Sequence, residues 1–320
     1  MTWAAEAVLE RGILSSMITR YEYQDVSWID VESPTPEEVE GLESEFNLGP
    51  LLAQELLGPT LKPHVDLYPD FAYTVLHFPS IRYTHGKSPT QEVDFIIGKK
   101  FLVTVHYDTI PAIYDFARSF EVATILKRPN DKIHSGYIAF ELIQRLYQGV
   151  GNELDTIEDA LEDVESAIFS GREREMVAAI SSVSRELLIH KRILGTHQDT
   201  LDSLEHAGVT LFGENFRNYL RGIAAFHFRT YTRALGFIDT VTELRNTNDS
   251  LLSTRQNEIM KNLTVIASVM LPLTLVANVF SMNTTTLPIV GAPGDFWIIL
   301  GSMAAITGLL VWYFKRQKLF

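Results

Sequence analysis

The sequence predicts an α/β cytoplasmic domain, a long stalk helix and two C-terminal transmembrane helices. Three observations predict this architecture. Strand patterns occur only in the first third of the 320-residue chain, helical patterns follow them, and two long apolar stretches without charge occupy the last sixty residues. The preceding 260 residues are polar and acidic, which is typical of a large soluble head.

The composition excludes several classes of protein. A hydrophobic fraction of 46% with 21% charged residues excludes intrinsic disorder. The net charge of −13 argues against a nucleic-acid-binding protein, whose surface is basic. The absence of cysteine rules out disulfides and thiol chemistry. No phosphate-binding glycine loop and no catalytic constellation stand out, so we expect no ATP as energy source, no enzyme activity and no cofactor.

Residues 1–130 are expected to form the α/β domain. The run Thr35-Pro36-Glu37-Glu38 is a capping box with proline at the first helical position, and it predicts a helix to about Asn47. Strands are predicted at Phe71–Phe78, Glu92–Ile97 and Phe101–His106, where β-branched and aromatic residues are frequent.

Residues 131–214 are expected to be helical and to contain an acidic helix pair. Seven acids occur in thirteen residues without Lys or Arg: Glu153, Asp155, Glu158, Asp159, Glu162, Asp163 and Glu165. Such a run usually marks a solvated helix face, and metal attraction is the alternative. His190 and His197 have no acid between them, so we expect both to be structural rather than metal ligands.

The stalk helix is expected over residues 215–262 and continues into the membrane, so that one helix runs from about Phe216 to Phe280. Its 65 residues correspond to roughly 97 Å. The two transmembrane helices are predicted at residues 263–280 and 296–314, each long enough to cross one hydrocarbon core. A buried hairpin of a soluble protein is the alternative.

The basic residues around these helices predict their orientation. They are Arg255 and Lys261 before the first helix, and Lys315, Arg316 and Lys318 in the tail 315–320 after the second. The loop 281–295 between the helices has no Lys or Arg. Because basic residues stay on the cytoplasmic side, we expect a multi-pass protein of the cell membrane with both termini in the cytoplasm.

One face of the first transmembrane helix carries polar residues at helical spacing. Steps of three and four residues join Asn257, Met260, Thr264, Ala267, Leu271, Thr274, Asn278 and Ser281. Polar groups in a membrane face either a partner helix or a water-filled cavity, and the spacing leaves both open. No charged residue lies on this face within the bilayer. An ion passing it would keep most of its hydration shell, which suits Mg²⁺ because Mg²⁺ dehydrates reluctantly.

The C-terminal part of the sequence resembles the CorA-type family of magnesium transporters. The family's Gly-Met-Asn signature follows the first membrane helix, where this chain has Ser281-Met282-Asn283 after Leu271-Pro272-Leu273-Thr274. Residues 257–264 are similar to the family's Asn-Glu-Val/Ile-Met-Lys-x-Leu-Thr, and residues 313–318 resemble its Tyr-Phe-Lys-Lys-Lys ending. Upstream, residues 92–106 resemble its strand pair.

The resemblance implies a homopentameric funnel that carries a divalent cation, with Mg²⁺ as the first expectation, driven by the membrane potential. The implied selectivity filter is Ser281, Met282 and Asn283, and Asn283 would bind the hydrated ion through its waters. The implied pore-lining residues are Asn257, Met260, Leu263, Thr264, Ala267, Leu271, Thr274 and Asn278. The implied basic ring at the pore exit is Lys315, Arg316 and Lys318. The expected partners are further copies of the chain, membrane lipid and divalent cations, without nucleic acid or ATP.

Three departures from the family pattern leave the ion preference open. Ser281 replaces the signature glycine, Asn278 replaces a glycine often found one turn earlier, and the only acid in the outer loop is Asp295. A carrier of Zn²⁺, Co²⁺ or Ni²⁺ with a relaxed filter is therefore an alternative. A membrane-anchored scaffold without transport is a rival of another class, and the polar residues Thr264, Thr274 and Asn278 count against it.

A further departure concerns regulation. Members of the family commonly close when cytoplasmic Mg²⁺ binds acids between adjacent heads. Counting back without gaps from the pore places Gly222, Ala224 and Ala225 at these positions, and their side chains offer no oxygen ligand. We therefore expect no feedback closure through this segment. A substitute site among Glu153–Glu165, or at Asp66 and Asp70, remains open.

Overall fold

The structure, a computed structural model, describes residues 17–79, 90–125, 134–282 and 294–316. The chain divides into two compact units. The first comprises residues 1–170 and 175–244, and the second comprises residues 171–174 and 245–320.

Within the described residues, the first unit contains a six-stranded mixed sheet. Its strands are β1 (Met17–Tyr23), β2 (Val26–Glu32), β3 (His64–Leu67), β4 (Phe71–Pro79), β5 (Thr90–Gly98) and β6 (Phe101–His106). The spatial order is β1-β2-β6-β5-β4-β3, in which β2 and β6 are parallel and all other neighbours are antiparallel. The predicted strands are confirmed as β4, β5 and β6. The pattern misses β1 and β3, which are edge strands with charged residues, and the interior strand β2, next to the edge.

Two short helices cover one face of the sheet, α1 (Pro36–Phe46) and α2 (Pro50–Glu55). The predicted capping box is confirmed: the Thr35 backbone N–H donates to Glu38 Oε2 at 2.9 Å, and the Glu38 N–H donates to Thr35 Oγ1 at 3.4 Å. Asn47 ends α1 in the left-handed conformation with φ 51°. The helices bury Leu42 and Leu52 against sheet residues such as Ile96.

Helices cover the opposite face as well. They are α3 (Pro111–Ile125), α4 (Ser135–Phe169), α5 (Glu173–Leu194) and α6 (His197–Phe212), and a short 3₁₀ turn at Glu214–Phe216 follows. The core on this side joins Trp28 and Phe95 of the sheet to Leu142, Tyr147 and Leu204 of the helices. The expectation that the described chain is helical after Pro111 is confirmed.

The long helix α7 spans Arg217–Phe280, within one residue of the expected bounds, and Pro272 does not interrupt it. The last helix, α8, spans Asp295–Arg316. Both are long and apolar enough to cross a membrane, at the two stretches that the sequence predicts.

Candidate functional site

The polar face predicted on α7 is uncovered in the single subunit. All the predicted positions are exposed: Asn257, Met260, Leu263, Thr264, Ala267, Leu271, Thr274, Asn278 and Ser281. The covered positions are elsewhere: Val265 is buried, and Val269, Pro272 and Val276 are partly buried. At roughly 100° per residue the two sets lie on nearly opposite sides of the helix. The polar face is therefore available to whatever adjoins α7 in the membrane.

Three hydroxyl groups on this face are turned back to their own helix. Thr264 Oγ1 donates to the Met260 carbonyl at 2.7 Å, and Thr274 Oγ1 donates to the Met270 carbonyl at 2.8 Å. Ser281 Oγ donates in the same way to the carbonyl of Asn278 at 3.0 Å. Because each hydroxyl uses its one hydrogen inside the helix, only oxygen lone pairs point outward. The face can therefore accept hydrogen bonds from the water shell of a cation.

The helix end carries the described part of the predicted filter. Ser281 and Met282 are exposed, and the Ser281 N–H donates to the Ala277 carbonyl at 3.0 Å, so the chain continues the helical turn. Ser281 is not among the residues with positive φ. The loss of glycine at this position therefore does not strain the described backbone. Asn283, the residue expected to read the ion, lies outside the described residues.

Two of the three residues predicted to form the basic ring are described. Lys315 and Arg316 end α8, and both are exposed. The Arg316 guanidinium carbon lies 5.6 Å from the centre of the Trp312 ring, a cation–π distance. Lys318 lies outside the described residues.

An ion pair with one buried partner lies before the polar face of α7. Arg255 Nη1 contacts Glu173 Oε2 at 2.8 Å and donates to the Gly171 carbonyl at 3.0 Å. The Glu173 side chain is only 4% exposed, and Gly171 has φ +94°. The pair therefore ties the turn between α4 and α5 to α7. Sequence patterns do not reveal it, because 84 residues separate Arg255 from Gly171.

The acidic run lies along α4 and is largely exposed. Arg233 of α7 contacts Asp155 at 2.6 Å and Glu158 at 2.5 Å. Glu153 is partly buried. Among the described residues, no group of three or more His, Asp or Glu side chains is arranged to hold a metal ion. The geometry favours the interpretation as a solvated face.

The segment aligned with the family's sensing acids is filled by packing contacts. A Cβ added at Gly222 would lie 3.3 Å from the Phe140 ring. The neighbouring Arg221 contacts Glu205 at 3.4 Å. Ala224 is partly buried and Ala225 is exposed.

His197 is structural, as expected. Its Nε2 donates to the His77 carbonyl at 2.6 Å, so its Nδ1 accepts the hydrogen bond from the Tyr147 hydroxyl at 2.6 Å. Burial lowers the pKa of His197 to about 3, so the ring is neutral. Both nitrogens are used, and neither can bind a metal.

A buried acidic pair on β5 escaped the sequence patterns. Asp94 Oδ2 accepts from the hydroxyls of Tyr73 at 3.2 Å and Tyr107 at 3.3 Å. Glu92 Oε2 contacts His77 Nε2 at 2.7 Å. Burial, and then the Glu92 charge, raise the pKa of Asp94 well above its ordinary value. The available signal was two acids spaced i, i+2 within a predicted buried strand.

The chain is similar to known proteins along most of its length. The model of the CorA-like Mg²⁺ transporter protein family matches residues 23–316. The cobalt/magnesium transport protein CorA of Thermotoga maritima is 24% identical over 85% of this chain and 77% of its own length. The zinc transport protein ZntB of Pectobacterium carotovorum is 20% identical over 91% of this chain and 87% of its own. The solved structure of the CorA magnesium transporter from Methanocaldococcus jannaschii superposes with a TM-score of 0.80 at 21% identity, over 92% of each chain.

Proposed function

The chain belongs to the CorA-like Mg²⁺ transporter family, and from that membership we propose that it carries divalent cations across the cell membrane, with Mg²⁺ as the main substrate. Five α7 helices line the pore with their polar faces, and α8 helices surround them. Ser281, Met282 and Asn283 form the filter at the outer mouth. Both chain ends lie in the cytoplasm, where Lys315, Arg316 and Lys318 ring the exit.

The three outward-facing hydroxyl oxygens on the polar face of α7 are the observation that carries this proposal. A hydrated Mg²⁺ presents water hydrogens outward, so the wall that stabilises it must accept hydrogen bonds. Thr264, Thr274 and Ser281 provide outward lone pairs because their hydrogens are bonded within the helix. No carboxylate on this face would replace the ion's water. The arrangement favours passage of a hydrated ion over tight binding of a bare one.

An oligomer is required because two helices cannot enclose a water-filled path. The polar face is uncovered in the subunit, whereas the opposite side of α7, at Val265, is buried. A ring of subunits would cover this exposed face and enclose the path at once. The membrane potential supplies the driving force: a divalent ion gains roughly 4.6 kcal/mol per 100 mV, twice the figure for a single charge.

Zn²⁺ is the second candidate substrate. It is favoured by the likeness to a zinc transport protein along most of the chain and by Ser281 in place of the signature glycine. Co²⁺ and Ni²⁺ belong to the same alternative. The proposed pore is the same, and only the filter discriminates between the two proposals.

The test is cation uptake into proteoliposomes that contain the full-length protein, with ion-sensitive dyes inside and an imposed inside-negative potential. We expect uptake of Mg²⁺ that rises with the potential, and slower uptake of Zn²⁺, Co²⁺ and Ni²⁺. Faster Zn²⁺ uptake would replace the Mg²⁺ assignment by the second candidate. An absence of uptake for every divalent ion would overturn transport and favour the membrane-anchored scaffold.

A further inference from the structure

His190 of α5 and Glu153 of α4 face each other inside the first unit. His190 Nε2 lies 3.6 Å from Glu153 Oε2. The other ring nitrogen, Nδ1, donates to the Glu186 carbonyl one turn earlier at 2.9 Å, and this bond fixes the ring. The His190 side chain is 1% exposed, whereas that of Glu153 is 29% exposed. The pair is therefore one buried nitrogen and one carboxylate that solvent can reach.

Neither of the two facing atoms has a hydrogen-bond partner. His190 Nε2 and Glu153 Oε2 are both buried atoms without one. Buried polar atoms in proteins are nearly always paired, so two orphaned atoms aimed at each other call for a ligand between them. Their separation is too long for a hydrogen bond between them.

The separation matches two ligands of one transition-metal ion. Zn²⁺ bonds to imidazole nitrogen and carboxylate oxygen are each about 2.0–2.2 Å, so two tetrahedral ligand atoms lie about 3.4 Å apart. The second nitrogen of a metal-binding histidine commonly donates to a backbone carbonyl, as Nδ1 does here. Imidazole suits Zn²⁺, Co²⁺ or Ni²⁺, whereas Mg²⁺ prefers oxygen ligands.

We propose that Glu153 and His190 bind one transition-metal ion of the Zn²⁺ class and thereby join α4 to α5. Water completes the coordination, since no third His, Asp or Glu of the described residues joins the pair. Glu153 also lines a cleft of about 470 Å³. Neighbouring exposed acids on α4, such as Asp159, raise the local cation concentration. The site uses no residue of the polar face of α7, so it is separate from the proposed pathway.

The test measures Zn²⁺ binding to the full-length protein in detergent, by competition with a chromophoric chelator in excess Mg²⁺. Co²⁺ provides a second readout, because its visible absorption reports a nitrogen–oxygen ligand set. We expect one ion per chain in the wild type, and an affinity weakened by about tenfold or more in His190→Gln and in Glu153→Gln. His206→Gln is the matched control: its Nδ1 makes the same bond to the carbonyl of Asp202 at 2.7 Å, but its ring is exposed.

Two results would overturn the site. One is a wild type that binds no Zn²⁺ in excess Mg²⁺, as a plain histidine–carboxylate ion pair would predict. The other is Zn²⁺ affinity that is unchanged in Glu153→Gln. This variant keeps the test decisive if His190→Gln does not fold, because the Glu153 side chain is partly exposed and its replacement disturbs folding less. Uptake by the wild type and the same variants is measured separately, in proteoliposomes. Absence of Zn²⁺ binding in the wild type would therefore refute this site alone, and absence of uptake in the wild type would refute the proposed transport.

Discussion

Replacing Thr274 by Val should slow Mg²⁺ uptake without changing assembly. Valine has nearly the shape of threonine and keeps its branched Cβ, so the helix should retain its packing. The Thr274 hydroxyl donates inward to the Met270 carbonyl at 2.8 Å. The substitution therefore removes one bond within the helix and one outward acceptor from each subunit.

The size of the effect follows from the lost acceptor. A hydrogen bond contributes a net 0.5–1.5 kcal/mol, roughly, when the alternative is water. If one ion-bound water loses its acceptor at the top of the barrier, the barrier rises by about 1 kcal/mol and uptake slows about fivefold. If two waters lose their acceptors in the same ring, uptake slows about thirtyfold. Thr274→Ser keeps the hydroxyl, so its uptake should stay within about twofold of the wild type.

The assay is the initial rate of Mg²⁺ uptake into proteoliposomes at a fixed potential. Thr307→Val is the matched control, because Thr307 Oγ1 of α8 makes the same bond to the Met303 carbonyl at 2.8 Å but lies off the predicted pore face. Thr307→Val should transport at the wild-type rate. Equal rates for Thr274→Val, Thr307→Val and the wild type would refute the idea that Thr274 faces the ion.

Three further predictions concern other contacts. Asp94→Asn should flatten the pH dependence of the unfolding midpoint above the ordinary aspartate pKa of 3.8. Burial and the Glu92 charge raise the folded-state pKa of Asp94 above its ordinary 3.8, so wild-type stability falls as pH rises above that value, by up to about 1.4 kcal/mol per pH unit. If the midpoints of Asp94→Asn and the wild type change with pH in parallel, this prediction is wrong. Arg255→Ala should lower the free energy of unfolding by about 1–3 kcal/mol, because it leaves the buried Glu173 carboxylate without this partner. Thermal unfolding in detergent checks it, and an Arg255→Ala midpoint equal to that of the wild type would count against the ion pair. Asn283→Ala should abolish selective uptake while size-exclusion chromatography shows intact assembly, and unchanged selectivity would remove Asn283 from the filter.

The elements that could be predicted from sequence are those specified by neighbours along the chain. The capping box at Thr35 and the hairpin of β5 and β6 depend on residues a few positions apart. The helix that ends at Phe280 follows from its long uncharged stretch. Strand β2 was missed although Val26–Glu32 alternates in part, because its interior position in the sheet depends on pairing with β6, which is distant in sequence. Local patterns also give no strand order.

The candidate pathway was predictable as a face but not in its chemistry. Helical spacing alone brings Thr264 and Thr274 to one side of α7. The inward direction of their hydroxyl hydrogens, which leaves these two oxygens as acceptors, is visible only in the structure. His190 illustrates the opposite case. No Asp or Glu lies between His190 and His197 in the sequence, and its spatial neighbour Glu153 lies 37 positions upstream on another helix. Only packing of α4 against α5 brings the two atoms together.

The absence of sensing acids at Gly222, Ala224 and Ala225 leads to the last prediction, that cytoplasmic Mg²⁺ does not close this protein. A ligand shifts a conformational equilibrium only if it binds one state more tightly than the other. Phe140 already packs against Gly222, and the side chains at this segment provide no oxygen. The acidic run Glu153–Glu165 on α4 is a weak substitute Mg²⁺ sensor, because Arg233 already pairs with two of its acids.

Limited proteolysis of the full-length protein, in millimolar Mg²⁺ and in chelator, measures this directly. We expect the cleavage rate within α7 to differ by less than about twofold between the two conditions. The exposed residues Asp66 and Asp70 are the other candidate acids for binding Mg²⁺ between subunits. Their double replacement by Asn should therefore leave the cleavage pattern unchanged. Strong Mg²⁺-dependent protection of α7 would show that a sensor exists, and loss of that protection in the double variant would assign it to these two acids.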